Sequence, residues 1–198
     1  MSSRALRLIV PLIGLFIGLA VLVAALILTL RPAGQETRPS AVGGPFALVS
    51  HEGRTVTDRD VLGGPFLVFF GFTHCPDVCP TKLFEISEVL RATGERGRGL
   101  KALFITVDPE RDTPELIKGY VTNFGPTFVG LTGSPEQIAQ VARAYRVYYQ
   151  KVPGKDGAPY LMDHSSIVYL LDRNGRFVTH FTHEAKAETI ATAVGKLL

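Results

Sequence analysis

Pro65-Phe66-Leu67-Val68-Phe69-Phe70-Gly71-Phe72, followed at once by Thr73-His74-Cys75-Pro76-Asp77-Val78-Cys79-Pro80, decides the reading of this chain. An unbroken apolar run of this length, bounded by Pro and by polar residues, fits a strand buried on both faces, as in the centre of an α/β sheet. Leu83, Ile86 and Leu90 then recur at helical spacing, so a helix comes next and ends near Thr93-Gly94. The only two cysteines, Cys75 and Cys79, therefore sit at the carboxyl end of a central strand and at the start of a helix, where α/β folds place their sites. Unpaired backbone N–H groups at such a helix start favour thiolate over thiol.

The same logic extends outward. Ala102–Val107 (ALFITV) reads as a second buried strand, and Thr113-Pro114 as an N-cap followed by proline, opening a helix through about Phe124. Thr127–Leu131 is a short strand, and Ser134-Pro135-Glu136 opens a helix with Ile138, Val141, Ala142 and Tyr145 on one face. A short strand at Val147–Gln150 precedes a Gly- and Pro-rich loop over Val152–Asp163. Ser166–Leu171 and Arg176–Phe181 form a hairpin through Asp172-Arg173-Asn174-Gly175, and a helix closes the chain from about Lys186. On the amino-terminal side, Phe46–Val49 and Arg54–Thr57 flank His51-Glu52-Gly53 as a hairpin. The plan is α/β and thioredoxin-like, with an N-terminal hairpin and a middle insertion.

Leu8–Leu30 is apolar except for Pro11, Gly14, Gly18 and Thr29. As a helix it would extend roughly 34 Å, enough for a hydrocarbon core of about 30 Å. It is longer than a cleaved signal's apolar region, and Arg31-Pro32-Ala33 is a poor cleavage context, so an uncleaved transmembrane signal anchor is expected. The expected organisation is a cytoplasmic terminus at 1–7, an anchor at 8–30, a Pro/Gly-rich linker at 31–45, and one thioredoxin-like domain over 46–198. The chain has 198 residues and a net charge of +3, and its Lys and Arg residues are scattered without a run or stripe. Nothing in that pattern fits nucleic-acid binding.

Redox thioredoxins use C-x-x-C, whereas this chain has C-x-x-x-C. In a regular helix, residues four apart hold their Cβ atoms about 5–6 Å from each other, too far for a disulfide. Two thiolates on one metal tolerate that separation. Pro80 would distort a helix begun at Pro76, so a loose turn over 75–79 is expected, with the regular helix starting at Pro80; such a turn could hold a metal and, with a small shift, close a Cys75–Cys79 disulfide. Two sulfurs leave a metal site incomplete. Among the five histidines, His164 is the strongest third ligand, because it lies just before a strand whose start faces the cysteine turn in thioredoxin-like folds. Asp163 beside it is a candidate to orient the ring from behind or to ligate weakly. His74 is a weaker candidate, and His51, His180 and His183 read as solvated or packed side chains. Two soft sulfurs and an imidazole favour Cu(I) over zinc, whose structural sites close with four protein ligands.

Gly71-Phe72-Thr73-His74-Cys75-Pro76-Asp77-Val78-Cys79-Pro80, then Val107-Asp108-Pro109-Glu110-Arg111-Asp112-Thr113-Pro114, then Asp163-His164 before a strand, resemble the Sco/SenC family. The resemblance covers the chain from about Phe46 to its end. It implies a membrane-anchored copper chaperone for the binuclear copper centre of cytochrome c oxidase, with Cys75, Cys79 and His164 as copper ligands. It further implies delivery to a dicysteine site on oxidase subunit II, another copper chaperone as donor, and a thioredoxin-like reductant that keeps the cysteine pair reduced. The soluble domain is then expected on the periplasmic side of a bacterial inner membrane. Asp108–Pro114 reads first as a strand end and a capped helix start; the functional alternative makes Arg111 a counter-charge to the thiolates. A competing reading of the whole site is enzymatic: a thiol–disulfide reductase that uses Cys75 and Cys79 and needs no histidine. The Pro-x-x-x-Thr-x-x-Cys pattern of thiol peroxidases is absent, since Phe72 and Val68 occupy those positions.

Overall fold

The computed structural model describes residues 16–23, 42–154 and 157–198. Residues 16–23 are helical and exposed. Among the described residues no helix is long and apolar enough to cross a membrane. The expected anchor over 8–30 and the linker over 31–45 lie mostly outside them.

The domain is built on a seven-stranded sheet with order β2-β1-β5-β4-β3-β8-β9. Its centre is β3 (Phe66–Gly71), β4 (Lys101–Thr106) and β5 (Phe128–Thr132), which run parallel. All six residues of β3 are buried, as a central strand covered on both faces requires. β1 (Ala47–Ser50) and β2 (Thr55–Thr57) form the expected hairpin on one flank. β8 (Val168–Leu171) and β9 (Phe177–Phe181) form the second hairpin on the other flank. Its turn is set by Asp172, whose Oδ1 accepts from the N–H groups of Asn174 (2.8 Å) and Arg176 (2.9 Å).

The helices are α1 (Val78–Thr93), α2 (Pro114–Val121), α3 (Pro135–Ala144) and α4 (Ala187–Gly195). The N-caps read from sequence are present: Thr113 accepts from the Leu116 N–H, and Ser134 forms a capping box with Gln137. α2 gives way to a 3-10 turn over Thr122–Phe124, so the expected helix is there with a tighter end.

Two expectations are corrected. α1 begins at Val78, not at Pro80. Pro80 is its third residue, where an N–H would have no acceptor within the helix, so the ring is tolerated. The expected loop over Val152–Asp163 contains a strand. β6 (Tyr149–Val152) pairs antiparallel with β7 (Leu161–His164) in a separate two-stranded ribbon. His164 thus ends a strand of its own rather than leading into β8.

One buried cation joins two helices. Lys82 in α1 is only 2% exposed; its Nζ pairs with Glu85 and donates to the carbonyls of His183 (2.8 Å) and Ala185 (3.2 Å), just before α4. Lys82→Met removes the charged donor from both carbonyls and leaves Glu85 without its partner. The expected loss of stability is about 3 kcal/mol, measured by chemical denaturation followed through tyrosine fluorescence.

Candidate metal centre

Gly71 ends β3, and its lack of a side chain shapes the cysteine segment beyond it. A Cβ there would lie 2.9 Å from Cys79 Sγ and 3.0 Å from ring atoms of both Phe69 and Phe104. The sulfur is therefore packed against the strand backbone, and Cys79 is fully buried. Cys75, in the turn before α1, is half-buried. The two sulfurs do not stand on successive turns of one helix. Cys75 precedes the helix and Cys79 is its second residue, and the Cys79 N–H donates to Cys75 Sγ at 3.3 Å.

His164 reaches the pair from the ribbon, its Nε2 lying 3.5 Å from Cys79 Sγ. One atom from each of Cys75, Cys79 and His164 can be chosen so that all lie within 4.8 Å of one another. The imidazole stands edge-on to Phe69 (centroids 6.2 Å apart) and Phe72 (5.8 Å), and Nδ1 lies 3.3 Å from the Ser165 carbonyl oxygen. That contact leaves Nε2 as the nitrogen facing the sulfurs. Asp163, expected to orient the ring, is exposed and, by strand alternation, lies on the opposite face of β7.

The turn after β4 fastens the cysteine segment. Asp112 is fully buried; its carboxylate accepts from the Thr73 N–H (3.0 Å), the Thr73 hydroxyl (2.6 Å) and the Thr106 hydroxyl (2.6 Å). Thr132 at the end of β5 donates to the Asp112 carbonyl oxygen at 3.1 Å. One residue therefore ties together the ends of β3, β4 and β5, holding the chain at Thr73, two residues before Cys75. His74 lies beside this cluster, its Nδ1 3.0 Å from Thr73 Oγ1, with nearly half of its side chain exposed. His51 accepts from the Gly130 N–H, and His180 stacks on Phe177 at the exposed edge, so both are structural or solvated, as read from sequence.

The two sulfurs differ electrostatically. The pKa of Cys75 is lowered to about 4, mainly because Cys79 donates a hydrogen bond to it, with His164 and the N–H groups of Cys79 and Asp77 adding to this. That of Cys79 is pushed up because its S–H donates to the Cys75 thiolate, because it is buried, and because the Cys75 charge is close. One thiolate is thus present at neutral pH, and a second forms if a cation replaces the shared proton. Two thiolates and an imidazole nitrogen, converging from two separate parts of the fold, fit a soft, three-ligand metal ion such as Cu(I).

Sequence reasoning finds Cys75, Cys79 and His164. It misses Asp112 as their anchor, because Asp112-Thr113-Pro114 reads only as a helix start. It also passes over Gly71, whose small size within a run of large apolar residues is the available signal for close packing.

The domain is a thioredoxin-like fold carrying a Cys–Cys–His cluster of metal-ligand dimensions. A family model described as SCO1/SenC matches residues 34–198, and the chain belongs to that family. It is 53% identical to the copper-bound structure of Bradyrhizobium japonicum ScoI, with a TM-score of 0.73 over 79% of this chain and 99% of that one. The copper-bound Arabidopsis thaliana ScoI is 40% identical, with a TM-score of 0.74 over 78% of this chain and 96% of that one. The mouse mitochondrial protein SCO1 homolog is 46% identical over 155 residues, 77% of this chain and 55% of its own length. The chain thus spans about half the length of the mammalian relatives it matches.

This geometry has two measurable consequences. At pH 6, iodoacetamide should modify Cys75 and leave Cys79 largely unreacted, as read by peptide mass spectrometry. The Cys75 rate should fall only as the pH approaches about 4, whereas an ordinary thiol would already have lost most of its thiolate at pH 6. Gly71→Ala should displace the Cys79 sulfur and destabilise the chain by about 1–3 kcal/mol, the range for overpacking, with at least tenfold weaker metal binding in a competition titration.

Proposed function

We propose that this chain is a membrane-anchored copper chaperone that binds one copper ion through Cys75, Cys79 and His164 and delivers it to the binuclear copper centre of cytochrome c oxidase subunit II. The observation that carries this reading is the convergence of the two sulfurs and one imidazole nitrogen within 4.8 Å. Copper-bound relatives of the same fold support it. Copper is cargo here. The half-exposed Cys75 thiolate would make the first contact, Cys79 would release its shared proton to water as the second sulfur ligates, and His164 Nε2 would complete three-coordination. Three ligands leave the ion under-coordinated, so an incoming cysteine can replace one of them.

The expected partners are oxidase subunit II, a copper-donating chaperone and a thioredoxin-like reductant. The expected location is a single-pass bacterial inner-membrane protein with its domain in the periplasm, anchored by residues 8–30. There an oxidising environment makes the reductant necessary.

The contrast between the sulfurs also favours a second reading, a thiol–disulfide reductase. Cys75 thiolate would attack a partner disulfide and release one partner thiolate, which takes up a proton. Cys79 would then displace the second partner sulfur, leaving Cys75–Cys79 oxidised and the partner with two thiols. A thioredoxin-like donor would return the two electrons.

His164→Ala separates the readings. The chaperone account expects copper affinity to fall by at least tenfold and oxidase assembly to fail, while reduction of a model disulfide continues at its normal rate. Unchanged affinity would remove the three-ligand site. Normal oxidase assembly by this variant would favour the reductase.

A further inference from the structure

The ribbon that carries His164 is not hydrogen-bonded into the seven-stranded sheet. Burial of Met162 and the edge-on packing of the His164 ring on Phe69 and Phe72 press it against the domain. Such contacts are non-directional and do not fix a ligand atom to a few tenths of an ångström. Directional ties are therefore needed. Apart from those of His164 itself and the bond from the Val147 N–H to the Ala142 carbonyl oxygen where the chain enters β6, the ties that the described residues show run to a single turn, 108–112. Tyr160, just before β7, donates its hydroxyl to Asp108 Oδ1 at 2.8 Å. Arg111 donates from Nη1 to the Tyr160 carbonyl oxygen at 2.9 Å, and its guanidinium lies 3.7 Å from the centre of the Tyr160 ring. Lys151 in β6 pairs with Glu110 at 2.5 Å, and its ammonium lies 5.0 Å from the centre of the same ring.

That turn is itself rigid. Asp108 is 1% exposed and accepts from Arg111 Nε as well as from Tyr160. Its own N–H donates to Thr106 Oγ1, and its carbonyl oxygen accepts from the N–H groups of Arg111 and Asp112. The far end of the turn, Asp112, holds Thr73, two residues before Cys75. One short segment thus grips the histidine side through Asp108 and Arg111 and the cysteine side through Asp112.

We propose that the 108–112 turn is the spacer that sets the separation between the cysteine pair and His164, with Tyr160 as the positioning residue on the histidine side. The inference rests on the copper reading of the three-residue site and extends the role of the segment from the cysteine side, where Asp112 holds Thr73, to the histidine side. It also gives the site a means of release. Arg111 Nη2 is buried without a hydrogen-bond partner among the described residues, so the clasp is not fully satisfied and costs less to open than its contacts imply. Opening it withdraws His164 and leaves the ion on two sulfurs, ready for exchange.

The test uses the full chain with Tyr160→Phe, His164→Ala and both together, loaded with copper. Affinity is read by competition. Imidazole ligation of Cu(II) is read from nitrogen hyperfine splitting, and cysteine ligation from the sulfur-to-copper absorption band. Tyr160→Phe should weaken binding by about tenfold or more and lose the nitrogen splitting while keeping the sulfur band. In the His164→Ala background it should change affinity by less than about twofold, because there is no longer a ring to position. Nitrogen splitting retained in Tyr160→Phe with near-normal affinity, or an equal penalty in both backgrounds, overturns the proposal. If the wild-type chain binds no copper, the copper reading itself fails. The spacer is then decided in metal-free protein by nuclear Overhauser contacts from the His164 ring to Phe69 and Phe72. Their loss in Tyr160→Phe supports the spacer, and their persistence overturns it. Should Tyr160→Phe not fold, Arg111→Lys, which keeps the cation but loses the planar fork, takes its place with the same expectations.

Discussion

The buried carboxylate of Asp112 accepts hydrogen bonds from both the backbone and the side chain of Thr73, and from Thr106 at the end of the neighbouring strand. A carboxylate without such donors would be costly to bury. With them it becomes a rigid pin, because each bond is strengthened by charge and shielded from water. The pin holds the chain as it leaves β3, and so fixes where Cys75 stands before α1 begins. Gly71 then lets Cys79 lie against the strand, and the two sulfurs are brought close enough to share a proton.

Much of the fold is legible in the sequence because its strands are buried on both faces. Pro65–Phe72 and Ala102–Val107 stand out as apolar runs, and Thr113-Pro114 and Ser134-Pro135 announce helices through local capping chemistry. The β6–β7 ribbon is only half legible. Met162 is the only buried residue of its two strands, so they show neither a continuous apolar run nor a sustained alternation, and the Gly- and Pro-rich stretch between them looks like loop. The start of α1 is easily misplaced because Pro80 reads as a first helical residue, although a helix tolerates proline anywhere in its first turn.

The site divides in the same way. Cys75, Cys79 and His164 can be chosen from residue chemistry and spacing, since soft ligands are scarce in this chain. Their supports cannot. The Thr73–Asp112 bonds join positions 39 apart, and the Tyr160–Asp108 bond joins positions 52 apart. Contacts of that kind leave no periodic trace in a single sequence. Asp163 illustrates the converse: adjacency along the chain makes it a natural partner for His164, but neighbours in a strand point to opposite faces.

The central claim is that one copper ion is held by two sulfurs and one imidazole nitrogen. X-ray absorption at the copper edge, on the reduced full-length protein loaded with one equivalent of Cu(I), tests it most directly. The account predicts a first shell of two sulfurs and one nitrogen, with the outer-shell scattering of an imidazole ring. A shell of sulfur alone, or copper bound without sulfur, would contradict it.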